Sequence, residues 1–301
     1  MKDRLIHGML CGRAIRFSAV AGKNMVEQAQ RTHALSRVAT AALGRQLLMT
    51  AVMASELKNK TDTVTTVIAG NGPAGNLVCV GRYGSLVKGY AQEPDVELPL
   101  RPDGKLDVGG YIGHAGKLSI IRDLGLKEPY IGMSNLVSGE VAEDFAQYFT
   151  VSEQQPSLVY LGVRERADEG TVLAAGGILI QPMPGCPECE ISRVEALAEV
   201  IPCMTGVLAD GKGLEDAIEQ ILSPLEPEIT ERITPRYECD CSRDRLERAL
   251  LSIGEDELKD ILENEGEAEL TCQFCLKIYH FGRSDLEELL MAAKDGEHDG
   301  K

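Results

Sequence analysis

The spacing of apolar residues along the chain predicts strands first and helices later. Residues 5–10 and 14–20 are short runs rich in apolar residues, and each predicts a strand. Between Val38 and Met53 apolar residues recur three or four positions apart, and Ser36 stands where the N-cap of a helix belongs. We interpret this apolar stripe as one face of a buried core helix.

The glycine-rich segment Gly70–Gly75 matches the pattern G-x-G-x-x-G of dinucleotide-binding proteins. In those proteins the loop opens a helix, whose N-terminal N–H groups hold the pyrophosphate. Here the segment lies between two runs of β-branched and apolar residues, 63–68 and 76–80. We therefore predict a β-hairpin whose glycines supply positive φ angles, and no nucleotide site.

Strands and helices continue to alternate up to a proline-rich break. Residues 118–121, 158–163 and 171–179 predict strands, and residues 139–149 predict an amphipathic helix whose acidic first turn stabilises its N-terminus. This mixture predicts an α+β core domain that combines sheet and helix. Proline and glycine in residues 181–187 mark its end.

The remaining third of the chain is predicted to be mostly helical. Residues 190–223 show two or three short amphipathic helices interrupted by Pro and Gly, and such helices need a surface to pack on. Further prolines lead to a segment with predicted helices at 242–251, 255–262 and 284–293 and two short strands between the last two. The residues after them are expected to form a frayed tail.

Four cysteines of this last segment form two close pairs, Cys239-Asp240-Cys241 and Cys272-Gln273-Phe274-Cys275. Each pair can bind a metal from a tight turn, and the helices between them can bring the pairs together. Four thiolates suit a tetrahedral zinc ion with a complete protein shell. A complete shell has no position for a substrate, so we interpret the site as structural. The alternative, four ordinary reduced thiols, is disfavoured by the close pairing.

Charge and composition exclude several classes of function. The 301 residues carry a net charge of −16, and residues 201–301 hold 25 Asp and Glu against 11 Lys and Arg, which argues against a general nucleic-acid binder. The first residues show no signal peptide, and the longest uncharged run, Thr63–Gly81, contains glycine and proline and predicts no membrane helix. Nine cysteines without an export signal indicate a reducing cytoplasm. We find no Ser/His/Asp set, phosphate loop or activated carboxylate pair, so no enzyme is predicted.

Several stretches resemble a known family, the redox-regulated thirty-three-kilodalton heat shock chaperones of bacteria. The resemblance spans nearly the whole chain, and the Cys-x-Cys and Cys-x-x-Cys pairs at this spacing are its most specific part. It rests on Arg31-Thr32-His33, Val38–Arg45, Gly72–Gly75, Ser138–Asp144, Ser152–Ser157, Cys239–Arg243, Leu250–Gly254 and Cys272–Cys275 with Tyr279 and Phe281.

The resemblance implies a holdase chaperone that needs no ATP and is not an enzyme. It implies a core domain over residues 1–183, a helical linker over 184–234 and a C-terminal zinc domain over 235–293, followed by a tail, 294–301. In the reduced, inactive form one Zn²⁺ is held by Cys239, Cys241, Cys272 and Cys275. Oxidants such as hypochlorous acid then form two disulfides and expel the zinc. The linker unfolds, the protein dimerises, and unfolded client proteins are bound.

We expect the two disulfides to form within the pairs, as Cys239–Cys241 and Cys272–Cys275. Each thiol has its pair partner nearest in sequence. A bond between the pairs would have to close a loop of about thirty residues once the zinc fold has melted, which costs more chain entropy. Residues i and i+2 of an extended chain lie at the upper edge of disulfide reach, so Cys239–Cys241 is expected to be strained, to form second and to be reduced first.

Five further cysteines lie outside the two pairs. Cys186 and Cys189 flank Pro187-Glu188 at the boundary of core and linker, and this pair is a departure from the family pattern. It is interpreted as a second redox pair, an extra soft-metal site or two reduced loop thiols, with the last favoured. Cys11, Cys79 and Cys203 have apolar neighbours and are predicted to be buried packing residues.

Two other functions compete with the holdase. A zinc-ribbon adaptor or nucleic-acid-binding regulator would use the same four cysteines, but the acidic charge of the segment would repel phosphates. A thiol-disulfide oxidoreductase would use Cys186 and Cys189, but it would need a strand-then-helix setting that lowers the pKa of the first thiol.

Overall fold

The computed structural model of the chain describes residues 2–166 and 170–298. The chain divides into two compact units, Met1–Glu238 and Cys239–Lys301. Both units combine helices with β-strands, so the predicted α+β class is confirmed. The division into core, linker and zinc domain stays a prediction.

The first unit contains two sheets. Their strands are β1 (Arg4–Leu10), β2 (Ile15–Ala21), β3 (Thr63–Gly70), β4 (Asn76–Arg82), β5 (Leu86–Ala91), β6 (Gly116–Asp123), β7 (Tyr130–Asn135), β8 (Leu158–Glu165), β9 (Val172–Pro182), β10 (Glu228–Ile233) and β11 (Arg236–Tyr237). The five-stranded sheet has the order β10-β1-β2-β9-β8 and is antiparallel throughout. The six-stranded sheet has the order β11-β5-β4-β3-β6-β7, and only the short β11 runs parallel to its neighbour.

Seven α-helices belong to the same unit in the described part of the chain. They are α1 (Lys23–His33), α2 (Arg37–Ser55), α3 (Val108–Ile112), α4 (Ala142–Val151), α5 (Glu188–Glu195), α6 (Met204–Ala209) and α7 (Leu214–Leu222). Helix α4 begins with the expected acidic first turn. Its Asp144 accepts hydrogen bonds from the backbone N–H groups of Val137 and Val141 and thereby stabilises the N-terminus of the helix.

Helix α2 is the central core helix that the apolar stripe predicted. Ser36 caps it by accepting a hydrogen bond from the backbone N–H of Ala39 at 3.2 Å. By length and composition alone α2 could cross a membrane, but 89% of its most apolar stretch is buried inside the fold. Its apolar character is therefore accounted for by packing between the sheets.

The glycine-rich segment is a hairpin turn, as predicted. It joins β3 to β4, which pair antiparallel from Thr63↔Arg82 to Ala69↔Asn76. Gly75 has φ +63°, a conformation that glycine adopts without steric cost. Gly70 and Gly72 do not have positive φ angles, so for these two glycines the prediction was wrong. No helix follows the turn, so the geometry of a dinucleotide site is missing from this part of the described chain.

Besides the apolar core around α2, a separate apolar cluster lies between the five-stranded sheet and helices α5, α6 and α7. We call it the covered face. The sheet contributes, among others, Ile6, Leu10, Ile15, Phe17, Ile178 and Ile180, and the helical segment contributes Val194, Met204, Leu208, Ile218, Ile221 and Leu222. The short, interrupted helices predicted for residues 190–223 thus do pack on a surface of the same unit.

The end of the predicted helical linker differs from expectation. Residues 228–233 are not helical but form strand β10, which pairs with β1 from Leu5↔Ile233 to Met9↔Glu228. The β-branched residues Ile229, Thr230 and Ile233, bounded by Pro227 and Pro235, are the sequence signal for this strand.

The second unit is a small α+β fold. It contains α8 (Arg243–Leu251), α9 (Glu255–Asn264), β12 (Ala268–Thr271), β13 (Ile278–Phe281) and α10 (Arg283–His298). Its core is a cluster of seven buried residues, Leu250, Leu258, Tyr279, Phe281, Leu286, Leu289 and Leu290. The predicted tail was wrong in part, because α10 continues through His298. Residues 299–301 of that tail lie outside the described residues.

Candidate metal centre

The two cysteine pairs lie on either side of the segment that contains α8, α9 and β12. Cys239 and Cys241 precede α8, whose N-cap Ser242 accepts a hydrogen bond from the backbone N–H of Arg245. Cys272 and Cys275 lie in the turn that joins β12 to β13, directly after the pair Thr271↔Ile278. The hairpin and the start of α8 thereby bring both pairs to one place.

The turn between β12 and β13 is closed by backbone hydrogen bonds around Cys272. Its N–H donates to the carbonyl of Lys277 at 3.0 Å, and its carbonyl accepts from the N–H of Leu276 at 2.8 Å. Leu276 has φ +58°, the left-handed conformation that lets the chain turn back. This local geometry points the thiols of Cys272 and Cys275 to the same side.

The Sγ atoms of Cys239, Cys241, Cys272 and Cys275 all lie within 4.8 Å of one another. The Sγ atoms of Cys241 and Cys275 are 3.4 Å apart, and those of Cys239 and Cys272 are 3.7 Å apart. Four sulfurs bound tetrahedrally to zinc at about 2.3 Å would be roughly 3.8 Å from one another. The sulfur positions therefore fit a zinc ion, and within the described residues this is the one such group of potential metal ligands.

These distances also exclude disulfides, in which the sulfurs are about 2.05 Å apart. All nine cysteines of the chain are described, and all nine are free thiols. The geometry is that of the reduced form.

The cluster lowers the pKa of one thiol. Burial raises the pKa of Cys241, but hydrogen bonds from Tyr279 and from the other three thiols more than offset this and bring it to about 7. For Cys275 burial prevails and raises the pKa of the thiol. A cluster that favours at least one thiolate near neutral pH suits both metal binding and oxidation.

Tyr279 connects the cluster to the small core of the unit. It lies on β13 and is 8% exposed, and its hydroxyl is 3.2 Å from both the Sγ and the carbonyl oxygen of Cys241. Cys241 in turn packs against the core. The sequence pattern assigns Tyr279 no role; its place in a β-rich run, one residue after Ile278, is the signal for an inward-facing side chain.

The comparisons with known proteins agree with one another. Residues 3–282 match the model of the Hsp33 protein family. The chain belongs to the Hsp33 family. It is 41% identical to the 33 kDa chaperonin of Clostridioides difficile, over 96% of this chain and 99% of that protein. It is 43% identical to the 33 kDa chaperonin of Caldanaerobacter subterraneus, over 92% of this chain and 94% of the relative.

A solved structure supports the same assignment. The crystal structure of the 33 kDa chaperonin of Thermotoga maritima matches with a TM-score of 0.87 and 36% identity, over 98% of this chain and 100% of that one. The resemblance seen in the sequence is thereby confirmed. This Hsp33 family member is a chaperone by its relatives' names, and its four-cysteine cluster can hold a metal ion.

The other five cysteines do not join the cluster. Cys79 and Cys11 are buried, as predicted, but Cys203 is exposed, so its predicted burial was wrong. It lies in a short turn of 3₁₀-helix before α6, where an apolar sequence context does not ensure packing. Cys186 is half-buried against the covered face, and Cys189 is exposed on the first turn of α5.

Proposed function

We propose that this chain is a redox-regulated holdase chaperone that needs no ATP, is inactive while reduced and zinc-bound, and is activated by oxidation. The observation that carries the proposal is the set of four unbridged thiols whose sulfur separations fit a tetrahedral zinc ion. As the family resemblance implies, the reaction of these thiols is then the signal, and no catalysis is involved.

Cys239, Cys241, Cys272 and Cys275 would hold the zinc as four thiolates. A bound zinc ion would join the start of the second unit to its β-hairpin and supply folding free energy to a unit whose described residues form a core of seven buried side chains. Tyr279 orients Cys241 and ties it to that core, and the turn at Leu276 positions Cys272 and Cys275.

Oxidation would remove two electrons from each of two thiol pairs. We propose the disulfides Cys239–Cys241 and Cys272–Cys275. Proximity in the folded cluster does not select this pairing, since two separations between the pairs are already 3.4 and 3.7 Å. The support is chain entropy, because bonds within a pair close much smaller rings in a melted segment.

The covered face supplies a surface for clients. Its sheet side is rich in large apolar residues such as Ile15, Phe17 and Ile178, and it is buried by short helices that are marginal on their own. If the linker unfolds on oxidation, this surface becomes available to the apolar segments of unfolded proteins. Loss of order in one segment would thus create a binding site on another.

The domain assignment follows from this scheme. We propose a core domain over residues 1–183, a linker over 184–234 and a zinc domain over 235–293, with a tail at 294–301. We also propose that the oxidised form is a homodimer in the cytoplasm, that its partners are unfolded client proteins, and that neither nucleic acid nor a membrane is bound.

The proposal is tested by following zinc, thiols and chaperone activity in one titration. Purified reduced protein is treated with increasing hypochlorous acid, and zinc release, free thiols and suppression of the aggregation of a chemically unfolded client are measured at each dose. We expect the loss of four thiols and of one zinc ion to coincide with the onset of aggregation suppression, without added ATP. Full activity in the reduced, zinc-loaded protein would contradict the proposal.

A further inference from the structure

The start of helix α5 holds a second group of thiols that the zinc scheme does not use. Cys186 lies two residues before the helix and Cys189 is its second residue, with Pro187 as the N-cap between them. Cys186 packs against the covered face, whose members include the buried Cys11. Cys11, Cys186 and Cys189 are all free thiols.

The conformation of Pro187 keeps Cys186 and Cys189 apart. Pro187 has φ −64° and ψ 142°, which is extended, while the chain is helical from Glu188 onward. With standard backbone dimensions this places the Cα atoms of Cys186 and Cys189 roughly 8 Å apart. A disulfide cannot be closed across more than about 7 Å without backbone movement.

One rotation removes this obstacle. If ψ of Pro187 turns to the helical value, the two Cα atoms come to roughly 5 Å, the distance between residues three apart in a helix and well within disulfide reach. The proline ring fixes φ, so ψ is the free angle at this residue. Such a rotation changes the direction of α5 relative to the chain before it.

The chain before Pro187 is fixed to the sheet. Pro182 pairs with Ile15 at the end of β9, and the N–H of Met183 donates to the carbonyl of Ala14 at 2.9 Å. The N–H of Cys186 donates to the carbonyl of Met183 at 3.0 Å. The rotation would therefore move α5 rather than the sheet, or pull Cys186 out of the covered face.

The chain after Pro187 is held in place by contacts that this movement breaks. Arg193 donates to the carbonyl of Pro224, and the thiol of Cys11 hydrogen-bonds Glu190. Val194 is buried in the covered face. The contacts of Cys11 and Val194 anchor α5 on the sheet, and the contact of Arg193 ties it to the 3₁₀ turn Ser223–Leu225, at the point where the predicted linker begins.

We propose that Cys186 and Cys189 form a second redox site, and that closing a disulfide between them lifts α5 from the sheet side of the covered face. The oxidant class is a low-molecular-weight disulfide. The exposed Cys189 attacks it as thiolate, forms a mixed disulfide and releases one thiol. Cys186 then displaces the second thiol, so that two protein thiols are oxidised, one small disulfide is reduced to two thiols, and the two protons pass to those thiols.

The electrostatics agree with a pair that stays reduced while α5 is docked. Burial raises the pKa of Cys186, and the charges of Glu190, Cys189 and Glu188 raise it further. A thiol held protonated reacts slowly. Undocking of α5 and oxidation of the pair would then favour each other, since each requires the same backbone change.

The inference is tested on the full-length, zinc-loaded protein in glutathione redox buffers with excess zinc, followed by peptide mapping and amide hydrogen exchange. We expect a Cys186–Cys189 disulfide and exchange in α5 that is at least about tenfold faster, with α7 unchanged. Cys189→Ser should abolish both effects. Cys203→Ser, which removes another exposed thiol of the covering segment, should leave both intact.

A second variant tests the coupling itself. Arg193→Ala removes the contact between α5 and the carbonyl of Pro224 and should raise the equilibrium constant for the disulfide about threefold or more. Arg232→Ala, which breaks a surface ion pair with Glu215, is the matched control and should leave it unchanged. The inference is overturned if no Cys186–Cys189 disulfide forms while Cys203 is glutathionylated, or if Cys186 bonds Cys11 instead. It is also overturned if amide exchange in α5 is not faster and Arg193→Ala does not change the equilibrium constant for the disulfide. Zinc content is measured throughout, so none of these results bears on the four-cysteine cluster.

Discussion

The hydroxyl of Tyr279 lies 3.2 Å from the Sγ of Cys241, and this contact joins the thiol cluster to the core of the second unit. The ring of Tyr279 belongs to that core, where it packs with Phe281 and the leucines of α10. Because one side chain belongs to both structures, order in the core and order in the cluster depend on each other.

Tyr279→Phe is therefore expected to lower zinc affinity about tenfold while leaving the fold of the reduced, zinc-loaded protein unchanged. Phenylalanine keeps the packing and removes only the hydroxyl next to Cys241. Competition with a chromogenic zinc chelator measures the effect. Tyr130→Phe, at a residue that is 50% exposed, is the control. Equal affinity in both variants would show that the hydroxyl does not support the site.

Removing one ligand should have a larger effect. Cys272→Ser leaves three thiols, and we expect the zinc content to fall from one ion per chain to near zero after dialysis against a mild chelator. The second unit should then lose its cooperative unfolding, since its seven-residue core is small. Metal analysis and circular dichroism check this, with Cys203→Ser as the control thiol. Unchanged zinc content in Cys272→Ser would refute the ligand assignment.

The disulfide pairing can be decided directly. We expect hypochlorous acid to produce Cys239–Cys241 and Cys272–Cys275, with Cys239–Cys241 forming second and reduced first. Tandem mass spectrometry of proteolytic peptides distinguishes these from Cys241–Cys275 and Cys239–Cys272, whose sulfurs are 3.4 and 3.7 Å apart in the reduced fold. A dominant peptide that joins the two pairs would mean that oxidation traps the folded cluster before it melts.

The covering helices should become the least stable part of the oxidised protein. Trypsin is expected to cut after Arg193 and Lys212 much faster in the oxidised, zinc-free form, because the short helices around them lose their support. Arg122 lies in β6 and pairs with Glu153 at 2.6 Å, and cleavage there should stay slow in both forms. Equal cleavage after Lys212 in both forms would contradict the proposal that the linker unfolds on oxidation.

Glu165 gives the first unit a pH-dependent stability. Its side chain is 1% exposed, its Oε2 accepts from Arg37 at 3.3 Å, and burial raises the pKa of the carboxyl from 4.5 to about 7. Between these values the folded chain holds a proton that the unfolded chain has released, so stability falls as pH rises from about 4.5 to 7.

The expected loss across that interval is up to about 3 kcal/mol. Glu165→Gln should remove it and make the free energy of unfolding less dependent on pH, which urea titrations of both proteins at several pH values will measure. A wild-type stability that rises between pH 5 and 7 as steeply as that of the variant would contradict this assignment.

The sequence predicted those elements whose pattern and end signals agree. Helix α2 was recognised because an apolar stripe and the N-cap Ser36 point to the same boundary, and the β3–β4 hairpin because glycines lie between two β-rich runs. The four cysteines of the cluster were recognised because metal ligands recur at short, fixed spacings.

The rest depends on contacts between residues far apart in sequence. Strand β10 was missed because only Ile229 and Ile233 of its six residues are apolar, which gives no clear alternation, and because its partner β1 lies at the other end of the chain. The exposure of Cys203 depends on how a short turn lies against the sheet. The raised pKa of Glu165 follows from burial at the end of β8, which no local pattern shows.

The position of β10 beside β1 has a consequence for recovery after stress. Residues 183–227 leave the five-stranded sheet at β9 and return to it at β10, and two strands separate these points, so the ends lie roughly 14 Å apart. When oxidation melts the helices α5 to α7 of the linker and β10 keeps its pairing with β1, the melted segment is fixed at both ends and stays close to the face that it covered. Its return is then a ring closure within one molecule, at an effective concentration in the millimolar range, and it competes with a bound client without help from a second protein.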